Sequence, residues 1–196
     1  MKRTYAAIAA GLIAMAPAMA SAQGLGIKGG VSWNNVSNSG LLPGALQQFT
    51  GWTVGLGLGT TGTPLSLGIE ALWAHRGLES SSSPDERKFN YVDVPAFLRV
   101  ALPAGPVAPY VFAGPQVSFE VTCRTGSGDC PAGSGSGRPK TTFAAMWGAG
   151  LRLGSQSRIS FEGRYLYGLT DLKLSTVTSS SSYRQRSFMI LGGLGF

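Results

Sequence analysis

Charged residues set among apolar and glycine-rich segments are the first candidates for chemistry. Glu70, Asp93, Glu120 and Glu162 stand between hydrophobic neighbours, as do Lys28, Arg99, Arg152 and Arg164. Charges held out of water must pair, because an isolated buried ion is costly. The expectation is an internal network of ion pairs in which at least one of Glu70, Asp93 or Glu162 meets an arginine. A narrow ion path or gate is the other use for such a set. His75 is the only histidine. A hydrolase or acyltransferase would need it beside a serine and an acid. His75-Arg76-Gly77 offers no serine in a useful register, and Ser160 and Glu162 fall in another segment. His75 therefore reads as a rim or interface residue, and no catalytic residue is assigned.

Cys123 and Cys130 are the only two cysteines. With one distant histidine they make a poor metal site. In an exported protein they form a local disulfide that restrains the Gly/Ser-rich stretch 126–137. No Gly-Lys-Ser/Thr element follows a strand and opens a helix, so the glycine-rich runs are not phosphate loops. Neither a metal nor a cofactor is expected.

The elements that must position these residues show alternation of period two, the mark of strands with one apolar face. It occurs eight times, near residues 25–36, 49–60, 65–76, 89–102, 107–121, 141–153, 158–170 and 184–196. In the second, Trp52, Val54, Leu56 and Leu58 share a face opposite Thr53, Gly55, Gly57 and Gly59. The fifth is ambiguous in parity, and Val111, Ala113, Val117 and Phe119 are placed outward. The connections alternate between short (60–64, 103–106, 154–157) and long (37–48, 77–88, 122–140, 171–183). The serine runs 80–83 and 179–182 read as loop tips. The pattern predicts an all-β fold, an eight-stranded antiparallel up-and-down transmembrane β-barrel with short turns on one rim and long exterior loops on the other.

Compartment follows from the N-terminus. Lys2 and Arg3 precede an alanine-rich apolar run, and Ala20-Ser21-Ala22 offers small residues at a cleavage site. The layout is that of a signal peptide, residues 1–22, cleaved after Ala22, leaving a single barrel domain, residues 23–196. Without Lys2 and Arg3 the charge falls from +7 to +5, the excess of 14 basic over 9 acidic side chains. Such charge suits anionic lipopolysaccharide better than nucleic acid, which an exported protein rarely meets. No later segment has the roughly 20 apolar residues of a transmembrane helix.

Alternation alone leaves open a soluble, lipocalin-like ligand-binding barrel with its apolar face inside. Three features favour the membrane. The small or charged face suits a narrow lumen. Trp33, Trp52 and Trp73 fall toward the long-loop ends, and with Tyr165 and Tyr167 form an aromatic girdle. Phe188, Ile190, Leu194 and Phe196 end the chain on the apolar face, like the C-terminal signal of outer-membrane assembly machinery.

Several segments resemble the PorT-type outer-membrane β-barrel family. They are Gly26-Ile27-Lys28-Gly29-Gly30, Tyr91-Val92-Asp93-Val94-Pro95, Pro109 to Pro115, and Phe161-Glu162-Gly163-Arg164-Tyr165 with Tyr167 to Asp171. In size the chain is also similar to the eight-stranded OmpA and OmpX barrels. The resemblance spans the whole chain after residue 22 and implies outer-membrane location. The expected role is structural or interactive, through long exterior loops on a monomer without an open channel. The alternative is a narrow pore or the soluble barrel.

Overall fold

The computed structural model describes residues 24–38, 46–47, 49–60, 64–80, 87–102, 106–125, 128–129, 140–154, 159–170, 172–176 and 179–195. Eight long strands carry the architecture: β1 (Gly24–Asn38), β2 (Phe49–Gly59), β3 (Leu65–Ser80), β4 (Arg87–Ala101), β5 (Val107–Thr125), β6 (Thr141–Leu153), β7 (Ile159–Gly168) and β8 (Ser179–Leu194). Each pairs antiparallel with the next in sequence, and β1 pairs with β8, so the sheet closes. Closure removes the open sheet edge that would otherwise expose unpaired backbone. The described residues include no helix.

Glycine-containing short turns tie one rim. Thr60 N–H donates to Leu67 O, Leu102 N–H to Pro109 O and Gly154 N–H to Pro106 O, each at 2.9 Å. Gly154 takes φ 84°, a conformation that favours glycine. The ladders break where proline removes an N–H. β3 and β4 pair at Ile69–Ala96 and again only at Leu72–Asp93, around Pro95. β4 and β5 pair at Pro95–Gln116 and again at Leu98–Ala113, around Pro115. Nearer the loops, Asn90 faces Thr122 while Tyr91 faces Glu120, so Val121 is an inserted bulge residue.

The strands run further into the long connections than the sequence predicts. β3 continues to Ser80, and Leu46–Gln47 pairs with its end. β8 begins at Ser179 and pairs with the strand Leu172–Thr176, so the serine run 179–182 is strand and not loop tip. Gly128–Asp129 folds back on β5. Serine and threonine disfavour no strand whose backbone finds a partner, and pairing here outweighs low complexity.

Exposure fixes which face looks where. Leu25, Leu56, Leu67, Val111, Phe161 and Leu194 are each more than half exposed, on the outer wall. The alternate positions Lys28, Glu70, Asp93, Arg99, Glu162 and Arg164 are buried inside. On β5, Tyr110 and Phe112 point in and Val111 points out, with Ala113 beside it.

Candidate functional site

The lumen is built in layers. At its centre Lys28 of β1, Glu70 of β3, and Glu162 and Arg164 of β7 converge, each with a side chain about 1% exposed. Lys28 Nζ donates to Glu70 Oε1 at 2.7 Å and to Glu162 Oε2 at 2.9 Å. Arg164 donates through one terminal nitrogen to Glu70 Oε1 at 2.8 Å and lies 2.6 Å from Glu70 Oε2 through the other. It also pairs with Glu162. Two cations and two anions alternate in a closed square, so charge balances and each carboxylate meets both cations. Neither carboxylate could lose a partner without leaving a buried charge exposed to low dielectric.

An aromatic layer packs against the square. Tyr110 donates its hydroxyl to Glu162 Oε2 at 2.9 Å. Phe97 and Phe112 lie 5.6 Å apart, and the Arg164 guanidinium stands 5.3 Å from the Phe112 ring centre. Inward glycines make the room. A Cβ on Gly68 would come within 2.5 Å of Phe97, on Gly148 within 2.5 Å of Phe112, and on Gly150 within 2.5 Å of Tyr110. Met146, Leu166, Met189 and Leu191 complete the packed interior.

Toward the long-loop rim the lumen is polar. Arg76 of β3 pairs with Asp93 of β4 and stands 5.2 Å from the Tyr91 ring. Ser187 donates to Asn34 Oδ1 at 2.7 Å, Asn34 to Ser32 Oγ at 3.3 Å, and Gln116 to Ser118 Oγ at 3.2 Å. A cavity of about 20 Å³ lined by Arg76, Ser118, Thr142, Gln185 and Ser187 remains there, room for about one water. The larger hollows lie outside. One of about 670 Å³ runs over Val100, Val111, Leu151, Phe161, Phe188 and Ile190 on the outer wall.

Of the eight charges expected in one network, four form the square. Asp93 joins a separate pair with Arg76, a residue the sequence places at the strand's end, where the longer β3 instead carries it inside. Glu120 and Arg152 are half-buried at opposite ends, Glu120 facing Tyr91 near the loops and Arg152 facing Ser160 near the short turns. Arg99 is buried against Phe97 and Tyr110, at 5.4 and 4.9 Å.

The aromatic positions stand on the outer wall. Trp33 stacks with Phe188 at 5.9 Å and Trp52 with His75 at 5.9 Å, while Tyr165 packs tilted against Trp147 at 5.0 Å. Trp147 and His75 thus belong to this belt although the girdle expected from sequence omits them. Trp73 is not at its strand's end, since β3 runs on to Ser80. Arg186 lies 5.6 Å from the ring of Tyr167. His75 Nδ1 is 2.7 Å from Asn90 Oδ1, and Asn90 donates to Thr122 Oγ1 at 2.7 Å, a short polar chain across three strands.

Cys123 lies opposite Phe89 on the loop side of the bulge. Cys130, Phe196, residues 1–22 and the serine run 81–83 lie outside the described residues. Phe188, Ile190 and Leu194 are exposed on the outer wall. Among the described residues no group of three or more His, Cys, Asp and Glu could hold a metal.

Residues 5–193 match the model of the outer membrane protein beta-barrel domain family. No curated protein matches the chain by sequence. Among solved structures it is similar to Ail, the attachment invasion locus protein of Yersinia pestis, solved with the heparin analogue sucrose octasulfate. The identity is 16%, the TM-score 0.51, and the match covers 89% of this chain and 99% of that one. Neisserial surface protein A is 14% identical with TM-score 0.53, over 89% and 99% of the two chains. OprG from Pseudomonas aeruginosa is 12% identical with TM-score 0.50, over 90% and 97%.

Proposed function

The chain belongs to the outer membrane protein beta-barrel domain family, and on that premise we propose that it works through its exterior, in a structural or interaction role, and passes no solute through its lumen. The observation that carries this reading is the filled interior. The Lys28–Glu70–Arg164–Glu162 square and the layer of Phe97, Tyr110 and Phe112 occupy the cross-section. An eight-stranded barrel has interior enough for side chains or one small ligand, and not for an open channel. The soluble, ligand-binding alternative needs an apolar calyx inside, whereas here the apolar hollow is on the outer wall. No catalysis is proposed: His75 is stacked on Trp52 and bonded to Asn90 on the outer wall.

The narrower parts of the reading rest on sequence. A PorT-type assignment rests on the Tyr91–Pro95 and Pro109–Pro115 segments. A signal peptide cleaved after Ala22 accounts for delivery. Phe188, Ile190, Leu194 and Phe196 fit recognition by assembly machinery, and a closed sheet suits a monomer. A Cys123–Cys130 disulfide is supported by Cys123, the one described cysteine, which is disulfide-bonded in a chain with a single other cysteine. Intact mass lower by two hydrogens than that of the reduced chain tests it. Lipopolysaccharide is the partner that the exterior charge fits, because Arg87, Lys88, Arg124 and Lys140 lie at the loop-side ends of strands.

Conductance in planar lipid bilayers tests the closed lumen. The expected trace stays at baseline for the wild-type barrel. Stable unitary steps would replace this reading with the narrow pore.

A further inference from the structure

Near the short turns Arg99 has no carboxylate partner among the described residues, and we propose that this end binds a phosphate-type oxyanion supplied from outside the chain. The central square is neutral, and Arg76 is matched by Asp93. Arg99 is left over. It points inward from β4, opposite Ser66 of β3 and Phe112 of β5, and is 6% exposed. Its guanidinium lies between the Phe97 and Tyr110 rings, and its Nε is buried with no acceptor. Ring faces attract a cation but do not supply an anion's hydrogen bonds or its charge. No described carboxylate forms an ion pair with it.

The sequence shows why none can. Glu70, Asp93 and Glu162 are engaged as described. Glu79, Asp85, Glu86, Glu120, Asp129 and Asp171 all belong to the loop-side ends or the long connections. In the sequence, residues 57–69, 94–119 and 147–161, which flank and include the three short connections, contain no Asp or Glu. For Arg99, no described side chain supplies the counter-charge, and a bound anion would. Hydroxyls stand at the same end: Ser66 is buried beside Arg99, and Ser160, opposite Arg152, has an Oγ buried without a hydrogen-bond partner. A planar guanidinium with hydroxyl donors suits the several acceptor oxygens of a phosphate. The same chemistry is offered by free phosphate and by a phospholipid headgroup at the facing membrane surface.

The test uses the full barrel in a sugar-headed detergent, titrated with inorganic phosphate. Saturable heat of binding is expected, with the heat-modification midpoint rising by roughly 3–6 °C when phosphate exceeds its Kd about tenfold. Arg99→Met should lose both effects, and Arg99→Lys, which keeps the charge, should retain part of them. No saturable binding to wild type overturns the proposal, whatever the variants do. So does an equal rise in Arg99→Met, which would be general ion exclusion from the protein surface. Phosphatidylglycerol vesicles separate the sources. If added phosphate still raises the midpoint there, the free ion is the occupant. If it adds nothing, and Arg99→Met removes a stabilisation that these vesicles confer on wild type, the headgroup is. If neither is seen, the proposal fails in the membrane.

Discussion

At the residue scale, the central square is a device for keeping ions inside a sheet only one side chain deep. Each of Glu70 and Glu162 answers two cations, so removing one leaves an uncompensated charge that water cannot reach. Glu162→Ala should destabilise the barrel by about 3–5 kcal/mol, read from urea unfolding in lipid. Combined with Lys28→Met, which removes a facing charge, the loss should be less than the sum of the two single changes. Strict additivity would mean the square is not a coupled unit. The aromatic layer predicts a different sensitivity. Gly150→Ala places a Cβ 2.5 Å from the Tyr110 ring and 2.6 Å from the Phe161 carbonyl oxygen, and should cost about 1–3 kcal/mol by overpacking. A neutral result would show that Tyr110 moves aside without consequence. That Lys28, Glu70, Glu162 and Arg164 lie on the faces opposite the apolar ones is legible from parity, and the membrane reading turns those faces inward. Their grouping into one square, with Asp93 apart, is not, because the stagger of the strands sets which inward residues share a level.

At the element scale, alternation finds all eight strands because a one-residue slip would turn every leucine inward. The short turns are legible too, from proline and glycine at the ends of apolar runs. The long connections are not. Gly77 after His75-Arg76 reads as a break, yet β3 continues to Ser80 and so brings Arg76 to Asp93. The serine run 179–182 reads as a loop, yet it pairs with Leu172–Thr176. In both places a partner strand supplies what local composition withholds. The parity of β5 is blurred in sequence by Pro109, Gly114 and Pro115, and Val121 then interrupts the register near the loops. The outer wall carries its own test. Leu56→Arg, in the middle of the apolar belt, should cost about 2–4 kcal/mol in lipid, whereas Thr60→Arg beyond the end of β2 should cost about 0–1 kcal/mol. Equal effects would argue that no depth-dependent apolar medium surrounds the strands.

At the scale of the whole molecule, the barrel inverts the usual arrangement, with oily side chains outside and ions inside. That inversion is what separates an outer-membrane protein from a soluble barrel of the same topology. The chain has four tryptophans, Trp33, Trp52, Trp73 and Trp147. All four are at outward positions, with Trp52, Trp73 and Trp147 well exposed. Their fluorescence therefore reports the surroundings of the wall without any substitution. The most direct measurement is quenching of native tryptophan emission in the folded protein by lipids brominated along their acyl chains. Strong quenching, greater than that by a water-soluble quencher such as acrylamide, is the predicted result. Emission untouched by the bromines but quenched by acrylamide would contradict a wall that faces lipid.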